Sequence, residues 1–147
     1  MSNRIFYDPD QYIEQVDKTH GRKGLSGLNC LAFAFGDTKP DMTTGHYHYT
    51  MLTHDPDGIR VSIEYAFGWE CTKRGITVEK VKKAEPGHYY FRVYGWYSHG
   101  DFHVVRQEPD GTLVHKLGWQ IAPTVTSEEA LHEEYPERYV LYKVISY

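Results

Sequence analysis

Hydrophobic and polar positions change period once along this chain. Before about residue 74 the apolar residues recur at helical spacing in three stretches separated by loops, and after Pro86-Gly87 they alternate with polar ones. Asp8-Pro9-Asp10 reads as an N-cap with proline at the first helical position. It opens a helix through about Thr19, with Tyr12, Ile13 and Val16 inward. Gly21, Gly24 and Gly27 mark a loop that delivers the chain to a short helix at Cys30–Phe35, stopped by Gly36. Residues 37–54 show no regular period, and Lys39-Pro40-Asp41 and Thr44-Gly45 predict a long surface loop.

Asp55-Pro56-Asp57 repeats the helix opening. Ile59, Ile63, Ala66, Phe67 and Glu70 then keep helical spacing towards Lys73, with Gly75 closing the element. The stretch Ile59-Arg60-Val61-Ser62-Ile63 also alternates as a strand does, and its β-branched residues suit one; the capping signals decide for helix. From Pro86-Gly87 onward the spacing predicts a strand at 88–94, a connection at 95–100 and a strand at Asp101–Gln107. The turn Glu108-Pro109-Asp110-Gly111 then leads into a strand at 112–117. Thr126-Ser127-Glu128-Glu129 resembles a capping box for a short helix ending before Pro136, and 138–145 reads as the last strand. Helices first and antiparallel strands after predict an α+β domain, its N-terminal helices packed on an antiparallel β-sheet. One domain spans residues 1–147.

Composition narrows the function classes. The formal net charge of −4 carries no electrostatic footprint for nucleic acid. Lys73, Lys80, Lys82 and Lys83 form a basic cluster interrupted by Glu79 and Glu85, which reads as a solvated face. No apolar stretch is long enough to span a bilayer and the N-terminus has no apolar signal-like region, so the expectation is a soluble cytoplasmic protein without membrane insertion. Export by a route that ignores signal peptides stays open. Thirteen tyrosines and three tryptophans suit an aromatic core or a recognition wall. Two cysteines, Cys30 and Cys71, are too few for a disulfide framework.

The candidate chemistry lies in Cys30, His103 and His115. A thiol at a helix start has its pKa lowered by the backbone N–H groups, provided that Ser26 or Asn29 caps the helix. His103 shares a strand face with Val105 and Gln107, a face that could meet the Cys30 helix, where the imidazole would act as base and then as acid. His115 follows twelve positions later across the hairpin and can lie on the same face, orienting the His103 ring. Each residue also has a plainer reading, as a buried cysteine in apolar chain or a histidine on a solvated strand face. His46 and His48, with His54 or Asp41, offer a weaker metal site without known ligand spacing. No metal or other cofactor is expected, because thiol acyl transfer requires none.

Asn29-Cys30 before an apolar helix, Glu85-Pro86-Gly87 opening a strand, His103-Val104-Val105, then a glycine turn and His115 together resemble the NlpC/P60 branch of the papain-like cysteine peptidases. The resemblance spans roughly residues 27–118. It implies a nucleophile at Cys30, a base at His103, an orienting residue at His115, and a peptide or protein amide as substrate, such as a peptidoglycan stem peptide. Deamidase and transglutaminase chemistry belong to the same superfamily. The rival reading is a non-catalytic, aromatic-rich binding or adaptor domain with Cys30 buried and the histidines satisfied away from it.

Overall fold

The computed structural model describes residues 30–36, 56–96, 101–116, 123–135 and 139–146. These form a small α+β domain in which helices pack against an antiparallel sheet. Helix α1 is Cys30–Phe35 and α2 is Pro56–Lys73. The strands are β1 (Thr77–Val81), β2 (Tyr90–Trp96), β3 (Asp101–Gln107), β4 (Leu113–His115), β5 (Thr124–Thr126) and β6 (Tyr139–Ser146), with α3 (Glu128–Glu134) between β5 and β6. The sheet order is β1-β6-β2-β3-β4-β5, every neighbouring pair antiparallel. The expected helix at residues 8–19 and loop at 37–54 lie outside the described residues.

Local chemistry accounts for the element ends. Helix α2 closes on Gly75 at φ 71, with Gly75 N–H donating to Thr72 O and Ile76 N–H to Cys71 O. That pair of bonds is a Schellman stop, and the following Ile76 is buried in the core. Ser127 caps α3, its hydroxyl accepting from Ala130 N–H at 3.2 Å. The β3–β4 turn is held by Glu108 N–H to Thr112 O (2.8 Å) and by Gly111 at φ 91. Asp110 accepts from Thr112 N–H across the same turn, and this holds its carboxyl below the usual range. The helix reading of residues 59–63 holds. Strands β1 and β5 were not expected, and each is an edge of the sheet.

Strand alternation divides the core in two. Phe91, Val93, Val104, Val140, Tyr142 and Val144 face α1 and α2, where they pack with Ala34, Phe35, Phe67 and Cys71. Phe67 anchors this layer, its ring 5.6 Å from those of Phe35 and Phe91 and 4.8 Å from that of Tyr142. Glu70, buried on α2, bonds Arg74 at 3.0 Å, and the Arg74 guanidinium lies 4.4 Å over the Phe35 ring. The other face carries a smaller cluster of Tyr94, Val105 and Leu113 under Leu131 of α3, with Tyr135 against it.

Candidate functional site

Which face each candidate residue occupies follows from β3. Its register with β2 runs unbroken from Tyr90↔Gln107 to Trp96↔Asp101, so alternation along β3 is strict. Arg106 lies 5.2 Å from the Phe33 ring of α1 and pairs with Val114, and Val104 packs with Phe35. The even positions therefore face α1. Val105 packs under Leu131, so the odd positions, His103 among them, face α3.

On that face the two expected imidazoles meet. His103 Nε2 and His115 Nδ1 are 2.7 Å apart, and both rings are buried. Tyr135, the residue that caps α3, stacks on His103 with centroids 5.0 Å apart and planes 8° from parallel. Burial pushes His103 down to about 3, and the neighbouring His115 adds to the shift. Burial also holds His115 below the ordinary histidine value. Both rings are neutral at pH 7, one donating a hydrogen bond and the other accepting it.

Cys30 is placed elsewhere. It opens α1 on the opposite side of the sheet and is 5% exposed. The expectation that the His103 face would meet the Cys30 helix is corrected here: that face meets α3 and Tyr135, and the sheet backbone lies between the imidazoles and α1. The physical reason is parity. Val104 and Arg106 are the β3 side chains that the α1 aromatics cover, and His103 is out of phase with both.

A polar group near Cys30 is Lys116, which continues the alternation of β4 onto the α1 side. It is fully buried, and burial pushes its ammonium down to about 8, an effect that the Cys30 sulfur opposes. Sequence reasoning passed over Lys116, although one signal was present: it is the neighbour of His115 and so belongs to the other face. Tyr135 had no signal, since its place depends on how α3 docks. Neither Cys30 nor Cys71 is in a disulfide, and burial raises Cys71 to about 12.

Further polar groups line the α3 face. Arg92 donates to Gln107 Oε1 (2.9 Å) and Glu128 Oε1 (2.8 Å), reaches the Tyr94 hydroxyl at 3.3 Å, and lies 4.6 Å over the Tyr139 ring. A concavity of about 180 Å³ lies at the far end of β3 from His103, between Pro86 and the Pro109–Gly111 turn. Among the described residues no group of three or more His, Cys, Asp or Glu could hold a metal. His46, His48, His54 and Asp41 lie outside the described residues. No helix among the described residues is long and apolar enough to cross a membrane. No family model, curated protein or solved structure matches the chain.

Proposed function

We propose that this domain is a binding or adaptor module rather than a hydrolase built on Cys30, His103 and His115. The observation that carries the reading is the sheet between α1 and the imidazole pair. A thiol hydrolase needs its base within hydrogen-bond reach of the sulfur. Here the imidazoles satisfy each other, and a base held near pKa 3 removes few protons at neutral pH. The aromatic surface that a binding module needs is available on α2, where Tyr65 and Trp69 stand one helical turn apart, 78% and 61% exposed.

Iodoacetamide labelling of the intact chain across pH 5 to 10 tests this. Cys71 is silent in that range because its thiol sits near 12, so labelling reads Cys30. Slow alkylation with a midpoint at or above the free-thiol value of about 8.5 supports the binding reading. Rapid alkylation with a midpoint below about 7 overturns it.

One observation favours a second reading, the NlpC/P60-like thiol hydrolase or a related acyl-transfer enzyme. The 2.7 Å contact between His103 and His115 is the one that a base and its orienting residue make. That reading requires a state in which Cys30 reaches the α3 face. Incubation with peptidoglycan fragments, followed by mass spectrometry, decides it. Products absent with Cys30→Ala support the enzyme, and no product from the wild type counts against cell-wall hydrolysis.

A further inference from the structure

We propose that the His103–His115 pair is a proton-operated latch, holding α3 closed on the sheet at neutral pH and releasing it in acid. Among the described residues the attachment of α3 is concentrated in few places. Of its seven residues only Leu131 is buried. A second tie is the exposed Glu128 carboxylate on Arg92, and the third is Tyr135, flat on His103. An element with so little buried apolar contact opens locally before the sheet does.

Among the described residues, groups from β2, β3, β6 and α3 surround the pair. Tyr94 of β2 is the cross-strand partner of His103 and packs against Tyr135. Tyr139 of β6 lies beside Tyr94. Arg92 of β2 carries a positive charge on this face, answered by Glu128 of α3, and Lys143 of β6 lies on the same face farther along the sheet. Among the described side chains of β3, Val105 and Gln107 share the face with His103. These neighbours are phenols, the Arg92–Glu128 ion pair, the Gln107 amide and an apolar side chain, with no carboxylate among them free of a cation. A first proton can be shared between the two rings, but its charge stays buried. A second proton sets two donors face to face at the 2.7 Å separation.

Proton linkage fixes the sign. Closed, His103 binds its proton near pH 3; open and hydrated, it returns to the ordinary value near 6.5. Between those values the open state holds more protons, so acid favours opening. From pH 8 to pH 5 the opening constant of α3 rises about thirtyfold through His103 alone. His115, shifted in the same direction, adds to this. The stacked Tyr135 ring would favour an imidazolium, but the net shift is downward, so desolvation wins.

Amide hydrogen exchange on the full chain, corrected for intrinsic rates, reads the latch at pH 8 and pH 5. The lower limit stays above the ordinary carboxylate range, so the contrast reports histidine. The expected result is that residues 128–135 lose protection by about thirtyfold or more while β2 and β6 keep theirs. Unchanged protection of α3 overturns the proposal, as does loss in step with β2 and β6, which would make the protonation global. His103→Phe keeps a ring under Tyr135 without a titrating nitrogen, and its α3 protection should change at least tenfold less between the two pH values. If that variant fails to fold, imidazole NMR of the wild type decides: protonation of the pair below the ordinary histidine value, in step with loss of the Tyr135 ring contact, sustains the latch, and titration of either ring near 6.5 or with Tyr135 still stacked overturns it.

Discussion

The two faces of the sheet are built on different terms. Under α1 and α2 the rings of Phe35, Phe67, Phe91 and Tyr142 interlock, and the Glu70–Arg74 ion pair is buried beside them. Under α3 the apolar cluster among the described residues is Tyr94, Val105, Leu113 and Leu131 with Tyr135 against it, and polar groups do much of the bridging. An apolar face gains its stability by area, which is insensitive to pH. A face tied by imidazoles and an arginine–carboxylate pair is conditional on protonation and salt. One strand, β3, serves both, because alternation sends Val104 and Arg106 one way and His103, Val105 and Gln107 the other.

The largest test of that contrast compares truncations. Phe67→Ala removes the ring at the centre of the α1–α2 layer and should destabilise the whole domain by about 4 kcal/mol, read as a lower denaturant midpoint. Leu131→Ala should cost about 2 kcal/mol, and the loss should fall on α3 protection in hydrogen exchange, with β2 little changed. Equal global losses from both would erase the distinction between the faces.

Lys116 is a buried cation on the α1 side, and it probes the same contrast from within. Its folded pKa near 8 lies below the ordinary lysine value, so the unfolded chain holds more protons between about pH 8 and 10.5. Its cost to stability is full below pH 8 and is relieved as pH rises through that window. Lys116→Met should therefore raise stability at pH 7 by roughly 2 kcal/mol and flatten the alkaline rise, measured by urea unfolding at pH 7 and pH 10. A less stable variant at pH 7 would show that Lys116 holds its surroundings together more strongly than burial penalises it.

Ser127→Ala gives the smallest effect. Loss of the cap on α3 should cost about 1 kcal/mol, confined to that helix and visible as faster exchange at Ala130 and Leu131. If β6 amides respond equally, α3 is not the separable unit that the weaker face implies.

Much of this arrangement was legible before any coordinates. Gly75 stops α2, the Pro109-Asp110-Gly111 turn joins β3 to β4, and Ser127 caps α3, because each depends on the chemistry of a few adjacent residues. The meeting of His103 with His115 was legible for the same reason, since a period of two and a short hairpin are local facts. Strands β1 and β5 were not. Thr77-Val78-Glu79-Lys80-Val81 sits in a run of charges that read as a solvated face, and indeed Lys80 answers Glu64 of α2 in a part-exposed ion pair. Thr124-Val125-Thr126 is too short to show a period.

By itself the sequence determined an α+β domain, its principal turns and caps, and two sets of strand side chains on opposite faces. Only the tertiary structure decided which helix covers which set, and so parted Cys30 from His103. Alternation is enforced residue by residue through backbone sterics, but the choice of covering layer depends on the summed burial of residues far apart in the chain. Here the aromatic residues of α1 and α2 fit the Phe91, Val104 and Tyr142 side, leaving the imidazole side to α3.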